Sequence, residues 1–244
     1  MSQSGSEPNL DFPQAMPIRT ILVPQGAEYR AVQKGCKRAQ AAVTVVPLPM
    51  GHGAGPKLKQ WLKKYKLFAN AGYLLLGLGG GLSLDLHVGD WVLCKTVREI
   101  EGEQLIPFDA GLNRGIYQHL PGVKTGQAVG CDRIITSASQ KQTLHQKLGA
   151  TVVEMESLPI LRVLQPLGKR LAMVRVISDD CRHDLPDISD AVQPDGSLRP
   201  LTLATQFIRQ PIGAGRLIYG SLKGLARLET LAYELLNPHN VGLK

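Results

Sequence analysis

The feature that most constrains the fold is the alternation of short apolar runs with longer amphipathic stretches along most of the chain. The runs with strand character are Ile21–Val23, Val43–Leu48, Tyr73–Leu76, Trp91–Val97, Ala128–Ile135, Val152–Met155 and Leu171–Ile177. Helical patterns cover Glu28–Gln40, Pro56–Phe68, Ser139–Leu148, Leu158–Leu167 and Leu217–Leu236. This alternation predicts an α/β protein, a three-layer α/β/α fold with helices on both faces of a central mixed sheet. Binding sites in such folds form where strands end.

Length and composition favour one domain. The chain has 244 residues, of which 43% are hydrophobic, which is enough for one sizeable core. We therefore expect a polar leader at residues 1–17 and a single domain over residues 18–244. No apolar run reaches the roughly 18 residues of a membrane span, and the first residues lack the pattern of a secretory signal peptide. Four widely spaced cysteines without a CxxC pair indicate reduced thiols, and no metal site is predicted. A cytoplasmic location is expected.

The positive charge of the chain is concentrated in part on one helix. Lys+Arg number 28 against 20 Asp+Glu, a formal net charge of +8. In the helical pattern Pro56–Phe68, lysines alternate with apolar residues at helical spacing, which predicts a solvated outer face. Contact of this face with a membrane surface or an anionic partner is the alternative. Aromatic residues are 5% of the chain and no nucleic-acid module is present, so a nucleic-acid partner is not expected.

A glycine cluster follows directly on the apolar run Tyr73–Leu76. Gly77, Gly79, Gly80 and Gly81 predict that the strand ends in a loop where a ligand approaches bare backbone. The dinucleotide fingerprint GxGxxG fits poorly, because a leucine stands in the place of its third glycine. A simple tight turn therefore remains an alternative, and a dinucleotide-dependent oxidoreductase has the least support.

Two carboxylates stand at the junction of a strand and a helix in the segment Val153–Ser157. We expect Glu154 and Glu156 to face opposite ways, so that only one of them points into a site. Glu156 is suited to accept hydrogen bonds from paired hydroxyls of a ligand. The alternative is that both carboxylates favour the start of the helix.

Acidic residues also follow the last strand-like run and the first one. Ser178, Asp179 and Asp180 end the last run, which is a typical setting for a catalytic acid, although a turn or helix cap explains them as well. Glu28 follows the first run and either caps the next helix or projects into the same cleft as Asp179. Arg30 is then either a phosphate ligand or a solvated helix residue.

The order of these segments resembles the nucleoside phosphorylase and nucleosidase superfamily, whose members break the N-glycosidic bond of nucleosides. The matching segments are Gly53–Pro56, Gly77–Leu82, Val88–Asp90, Val153–Ser157 and Arg175–Asp179. The resemblance implies a phosphorylase/hydrolase-like fold and a homo-oligomer. Residues 181–244 resemble the helical carboxyl-terminal part of the hopanoid-associated phosphorylase branch.

The resemblance also implies roles for individual residues. Asp179 matches the residue that protonates or hydrogen-bonds to the purine N7, and Glu28 falls where nucleosidases keep the carboxylate that activates water. Met155 and Glu156 match residues that hold the ribose. The remaining substrate-binding candidates are Gly79, Gly80 and Ser178, and the candidate phosphate ligands are Arg30 and Gly26.

The sequence therefore predicts an enzyme that releases adenine from a 5′-substituted purine nucleoside. Phosphorolysis of an adenosylhopane-like substrate in hopanoid biosynthesis is preferred because the carboxyl-terminal third resembles that branch. Phosphate is then a co-substrate, and no cofactor is expected. A hydrolytic 5′-methylthioadenosine/S-adenosylhomocysteine nucleosidase is the alternative. A non-catalytic nucleoside-binding protein is a third hypothesis, because Leu78 replaces the family's Ser or Thr and the usual Ala-Asp after Asp179 is missing.

Overall fold

The computed structural model describes residues 18–65, 72–186 and 210–237. Its strands are β1 (Ile18–Pro24), β2 (Thr44–Leu48), β3 (Gly72–Gly81), β4 (Trp91–Glu99), β5 (Ile106–Pro107), β6 (Lys124–Gly130), β7 (Val152–Glu154) and β8 (Leu171–Asp179). Its α-helices are α1 (Ala27–Arg38), α2 (Ala54–Lys64), α3 (Ala110–His119), α4 (Ala138–Leu148), α5 (Ser157–Leu164) and α6 (Pro211–Leu236). The predicted leader at residues 1–17 and much of the predicted branch-specific segment lie outside the described residues.

The strands form one mixed sheet, as predicted. β1 pairs in parallel with β2 and β3, and β8 is parallel to β3 but antiparallel to β4. β6 is parallel to β4 and to β7, and β7 returns to pair antiparallel with the end of β3. These pairings run in a closed circuit through β3, β8, β4, β6 and β7. Closure brings the last residues of β3 and β8 beside β7, which is where the functional candidates lie.

Helices cover both faces of the sheet, which confirms the three-layer prediction. On one face α2 and α5 contribute buried residues such as Leu58 and Ile160 to a core with the strands. On the other face α1, α3 and α6 supply Val32, Ile116 and Leu231 to a second core. Apolar strand residues on both faces explain why these strands read as continuous apolar runs. Within the described residues, the helices are too short or too polar to traverse a lipid bilayer.

The lysine-rich helix is amphipathic, as its spacing predicts. In α2, Leu58 is buried and Trp61 and Leu62 are half-buried against the core. The exposed lysines are Lys57, Lys59, Lys63 and Lys64. Whether this face contacts a membrane stays a prediction. The four cysteines are free and buried, in agreement with reduced thiols.

The glycine cluster belongs to a strand rather than to a loop, so that prediction was wrong. β3 continues through Gly81 and pairs with β8 along most of its length. A side chain at Gly77 would collide with Arg175 Nη1 and would place its Cβ 2.8 Å from Glu28 Oε2. A Cβ at Gly80 would lie 3.1 Å from Asp179 Oδ2. The glycines therefore make room for charged side chains of neighbouring elements.

Three further elements differ from the sequence prediction, and one of them is the short strand β5, which was missed because it has only two residues. β6 spans Lys124–Gly130, whereas the apolar pattern placed the strand at Ala128–Ile135. Its polar first half is held by pairing with β4, and the chain beyond Gly130 leaves the sheet. Helix α3 was missed, because only Leu112 and Ile116 are buried and mark its inner face.

Candidate functional site

A cavity of about 790 Å³ lies at the carboxyl ends of β1, β3 and β8, between the turn after β7 and helix α6. Small-molecule sites commonly occupy roughly 300–1,000 Å³. Eight of the predicted site residues line this cavity: Gly26, Glu28, Gly79, Gly80, Met155, Glu156, Ser178 and Asp179. The sheet closure therefore brings together segments that are more than a hundred residues apart in the chain.

Arg30, the predicted phosphate ligand, does not join them. It is exposed on α1 and lines a different cleft with Lys34 and Lys37. Successive helical residues are rotated by about 100°, so a residue two positions after Glu28 points to nearly the opposite side of the helix. The local sequence placed both residues near the strand end, but the helix phase separates them.

Glu28 stands in the first turn of α1 and reaches back to β3. Its Oε2 accepts a hydrogen bond from the backbone N–H of Leu78 at 2.6 Å. Burial, together with the nearby charge of Glu156, raises the pKa of Glu28 to about 7. A carboxylate with such a pKa is suited to take a proton near neutral pH.

Glu154 and Glu156 both face the same buried arginine, which corrects the expectation that they point in opposite directions. Arg175 Nη2 lies 2.5 Å from Glu154 Oε2 and 2.8 Å from Glu156 Oε2. The expectation was wrong because residues two positions apart on an extended segment share a face, and the turn between the end of β7 at Glu154 and the start of α5 keeps both carboxylates on the side of Arg175. Arg175 is fully buried, and its position beside two carboxylates explains why a charge is tolerated inside the sheet.

The two glutamates have different surroundings. Glu154 accepts hydrogen bonds from the N–H groups of Glu156 and Ser157, at 3.1 and 2.9 Å, and from Ser157 Oγ at 2.6 Å. It therefore holds the start of α5, as the alternative interpretation predicted. Glu156 accepts a bond from the N–H of Gly51 at 3.1 Å and lines the cavity. Burial raises its pKa although Arg175 acts against that shift.

Asp179 ends β8 with its carboxylate held from two sides. Ser178 Oγ donates to Asp179 Oδ1 at 2.7 Å, and Lys141 Nζ forms an ion pair with Asp179 Oδ2. Lys141 was missed by the sequence reasoning. The available signal was its spacing from Leu144, since the two residues are the buried ones of α4. A lysine in the apolar stripe of a helix needs a buried partner.

The side of the cavity beneath α6 is mainly apolar, and Ser221 is the polar residue of this helix that lines it. Leu185 and Pro186 line it together with Leu217 and Leu225. Leu78 also contributes, where the family usually has a hydroxyl residue. Among the described residues, no group of three or more His, Cys, Asp or Glu side chains is arranged to hold a metal ion.

Comparison with known proteins agrees with this arrangement. A family model described as the phosphorylase superfamily matches residues 42–209. Futalosine hydrolase of Helicobacter pylori has a similar structure, with a TM-score of 0.64, 14% identity, and 90% of this chain and 97% of that chain covered. A 5′-methylthioadenosine/S-adenosylhomocysteine nucleosidase of Helicobacter pylori is also similar, with a TM-score of 0.63 and 16% identity. The match covers 91% of this chain and 98% of that chain. The 5′-methylthioadenosine/S-adenosylhomocysteine nucleosidase of Neisseria meningitidis, in complex with methylthio-immucillin-A, has a TM-score of 0.64 and 15% identity. The match covers 91% of this chain and 99% of that chain.

These structural similarities, at 14 to 16% identity, concern the fold. A search of curated protein sequences found no match.

Proposed function

This chain belongs to the phosphorylase superfamily, and from that premise we propose that its cavity cleaves the N-glycosidic bond of a purine nucleoside. The class of enzyme predicted from the sequence, a nucleoside phosphorylase or nucleosidase, agrees with the family. The observation that carries the proposal is the convergence of Glu28, Glu156 and Asp179 on one cavity. These are the three carboxylates to which the family resemblance gives the roles of base, ribose ligand and acid.

The chemistry follows from the charge that develops as the bond breaks. The sugar becomes oxocarbenium-like, and the electron pair of the C1′–N9 bond moves onto the purine. Glu156 is placed to bind the ribose hydroxyls, and its negative charge stabilises the cationic sugar. Asp179 faces the base and assists its departure by giving it a proton. Glu28 removes a proton from the attacking water as the oxygen bonds to C1′.

Water is the nucleophile that the charges of the cavity favour. The carboxylates lining the cavity are Glu28, Glu154, Glu156 and Asp179, and the buried cations Arg175 and Lys141 are already paired with the last three. Among the described lining residues, Arg133 is the one lysine or arginine, and its side chain is exposed. A phosphate dianion gains little in such surroundings, and Arg30 lies elsewhere. Hydrolysis is therefore the first candidate.

Phosphorolysis is the second candidate, and one observation favours it. Gly26 lines the cavity directly before α1 begins, where backbone N–H groups favour an anion. The hopanoid-branch resemblance points to the same nucleophile. A phosphate at this place would lie close to the carboxylate of Glu28, which is the reason for ranking this reaction second.

An apolar 5′ substituent is the feature of the substrate that the cavity supports. The wall formed by Leu185, Pro186, Leu217 and Leu225 has no charged group to bind a polar tail. Helix α6 also exposes Ile212, Tyr219 and Leu222, with 72, 62 and 64% of their surface accessible. At helical spacing these side chains lie on the side of α6 away from Leu217 and Leu225, so the cavity wall itself carries the argument for an apolar 5′ group. The proposed substrate is adenosine with an apolar 5′ group, extending to the adenosylhopane type.

The decisive experiment measures base release from four nucleosides, each with and without phosphate. The panel is 5′-methylthioadenosine, S-adenosylhomocysteine, futalosine and adenosine with a long alkyl 5′ chain. We expect phosphate-independent release, fastest from the nucleosides with apolar 5′ groups. Release that requires phosphate would establish phosphorolysis instead. No release from any nucleoside would contradict cleavage and favour a binding protein.

Replacing Asp179 by Asn distinguishes an enzyme from a binding protein. The variant keeps the shape of the side chain but lacks the group that passes a proton to the base, so kcat should fall by about a hundredfold or more. Adenine affinity, measured by calorimetry, should change much less. If turnover were unchanged, Asp179 would have no role in the chemistry. A thermal melt shows whether the variant is folded, because the substitution removes the carboxylate that pairs with the buried Lys141.

A further inference from the structure

We propose that Lys141 works through Asp179 as a positioning residue of the cleavage reaction, and that it supplies the proton which the leaving base takes up. The inference rests on the proposed function, because it needs a base that departs beside Asp179. Neither the sequence pattern nor the family resemblance assigned a role to Lys141.

The geometry fixes the carboxylate of Asp179 from both ends. Lys141 Nζ pairs with Oδ2 and also donates to the backbone oxygen of Asp180 at 3.1 Å. Ser178 Oγ holds Oδ1 at 2.7 Å. Lys141 has no exposed side-chain surface, whereas Asp179 keeps 16% exposed, and Asp179 lines the cavity. The ammonium of Lys141 therefore acts on a bound ligand through the carboxylate of Asp179 and does not contact the ligand directly.

Burial of the ammonium is not explained by stability. A buried ion pair loses the hydration of both groups, and replacing such a pair by apolar residues is often neutral or stabilising. Lys147 on the same helix is exposed, so α4 can place a lysine in water. A buried charge that borders a cavity is more typical of a group used in chemistry.

The proton balance assigns that chemistry. Before cleavage, Lys141 is an ammonium and Asp179 a carboxylate. As the C1′–N9 bond breaks and its electron pair enters the purine, N7 becomes basic. The proton of Nζ moves to the carboxylate of Asp179, and Asp179, now a carboxylic acid, gives that proton to N7, so the base leaves neutral. Lys141 is then an amine, Asp179 is again a carboxylate, and Lys141 regains its proton from water.

Few other charged groups face this pair. The carboxylate of Asp180 is engaged by Arg182 at 3.1 Å. The thiol of Cys181 is buried in the same segment, and its pKa is raised mainly by burial. Arg133 lies at the exposed side of the cavity. From α4 itself, His145 is occupied by the backbone oxygen of Ala150. Among these groups, the carboxylate of Asp179 is therefore the one that pairs with Lys141.

The test is the pH profile of kcat for Lys141→Met, measured with the nucleoside of the panel that the native enzyme cleaves fastest. An ammonium is a much weaker acid than a carboxylic acid and keeps its proton to a higher pH. Native kcat should therefore stay level to a higher pH than the kcat of the variant. In the variant, Asp179 must carry the proton itself, so kcat should fall with rising pH in the range where native kcat is still level, by up to about tenfold per pH unit. KM should change by less than about threefold, because Asp179 remains in place.

The matched control is Lys147→Met, which removes the same charge from the exposed face of the same helix and should leave the profile unchanged. Urea unfolding verifies that Lys141→Met is folded. A loss of the same factor at every pH would show that Lys141 only supports the structure, and unchanged kcat would also refute the inference. If the native chain releases no base, the proposed function fails and the proton supply has no reaction to serve. If native cleavage is normal and the profiles are parallel, the inference alone fails.

Discussion

Replacing Glu28 by Gln is expected to lower kcat for nucleoside hydrolysis by about a thousandfold, within the range attributed to a general base. Gln keeps an oxygen that accepts the hydrogen bond from the N–H of Leu78, so the start of α1 should be preserved. What disappears is the group that takes the proton of water. Steady-state kinetics with the preferred nucleoside measure the loss, and adenine affinity shows whether the cavity is intact. A variant with at least a tenth of the native kcat would exclude Glu28 as the base.

The pH dependence gives an independent check of the same residue. The pKa of Glu28 is raised to about 7, and the base must be ionised, so native kcat/KM should fall as the pH drops below about 7. This fall of kcat/KM at low pH should be absent from the residual activity of Glu28→Gln. If the variant shows the same fall, another group produces it.

Stability should respond in the opposite direction to activity. The folded protein binds the proton of Glu28 more tightly than the unfolded chain does, because its pKa is raised from 4.5 to about 7. Ionisation of Glu28 therefore lowers the free energy of unfolding as the pH rises from 4.5 through 7. Glu28→Gln should melt at or above the native temperature at pH 8 and show no such advantage at pH 4. If the variant melted at a lower temperature than the native protein at pH 8, the ionised Glu28 would not be destabilising the folded state.

Replacing Arg175 by Met is expected to have the largest effect on stability, about 3–5 kcal/mol, since it leaves buried carboxylates without their cation. Glu154 and Glu156 both pair with Nη2 of this arginine. Met keeps the aliphatic part of the side chain but lacks the guanidinium, so the loss combines the missing charge with a small cavity. Urea unfolding at constant pH measures the change in the free energy of unfolding.

The control for Arg175 is a second arginine with an exposed partner. Arg162 pairs with Glu99, and their side chains are 62 and 51% exposed. Arg162→Met should therefore cost less than about 1 kcal/mol. The loss in the free energy of unfolding caused by Arg175→Met should be smaller at pH 5, because the unpaired carboxylates of Glu154 and Glu156 can then take up protons. Equal effects of the two substitutions would mean that Arg175 is not the counter-charge of this site.

Local patterns in the sequence predicted the alternation of strands and helices and, together with the family resemblance, eight of the residues that line the cavity. The reason is that a strand in a layered α/β fold needs an apolar run, and such a run ends where the chain reaches the sheet edge. Glu28 and Asp179 follow two of those ends, and Glu156 follows a third. Polar residues at those places are few, so the motif order was sufficient to choose among them.

The direction and partners of the side chains were decided by tertiary structure. Arg30 was lost from the site because of the phase of α1, and Glu154 and Glu156 share a partner because β8 places Arg175 beside both of them. The ion pair of Lys141 with Asp179 joins residues 38 positions apart, and it exists because α4 packs beside the end of β8. The glycines of β3 are needed because side chains from β8 and α1 pass close to the strand. Periodicity records which residues are apolar and where elements end, whereas the burial of a charge depends on which elements meet.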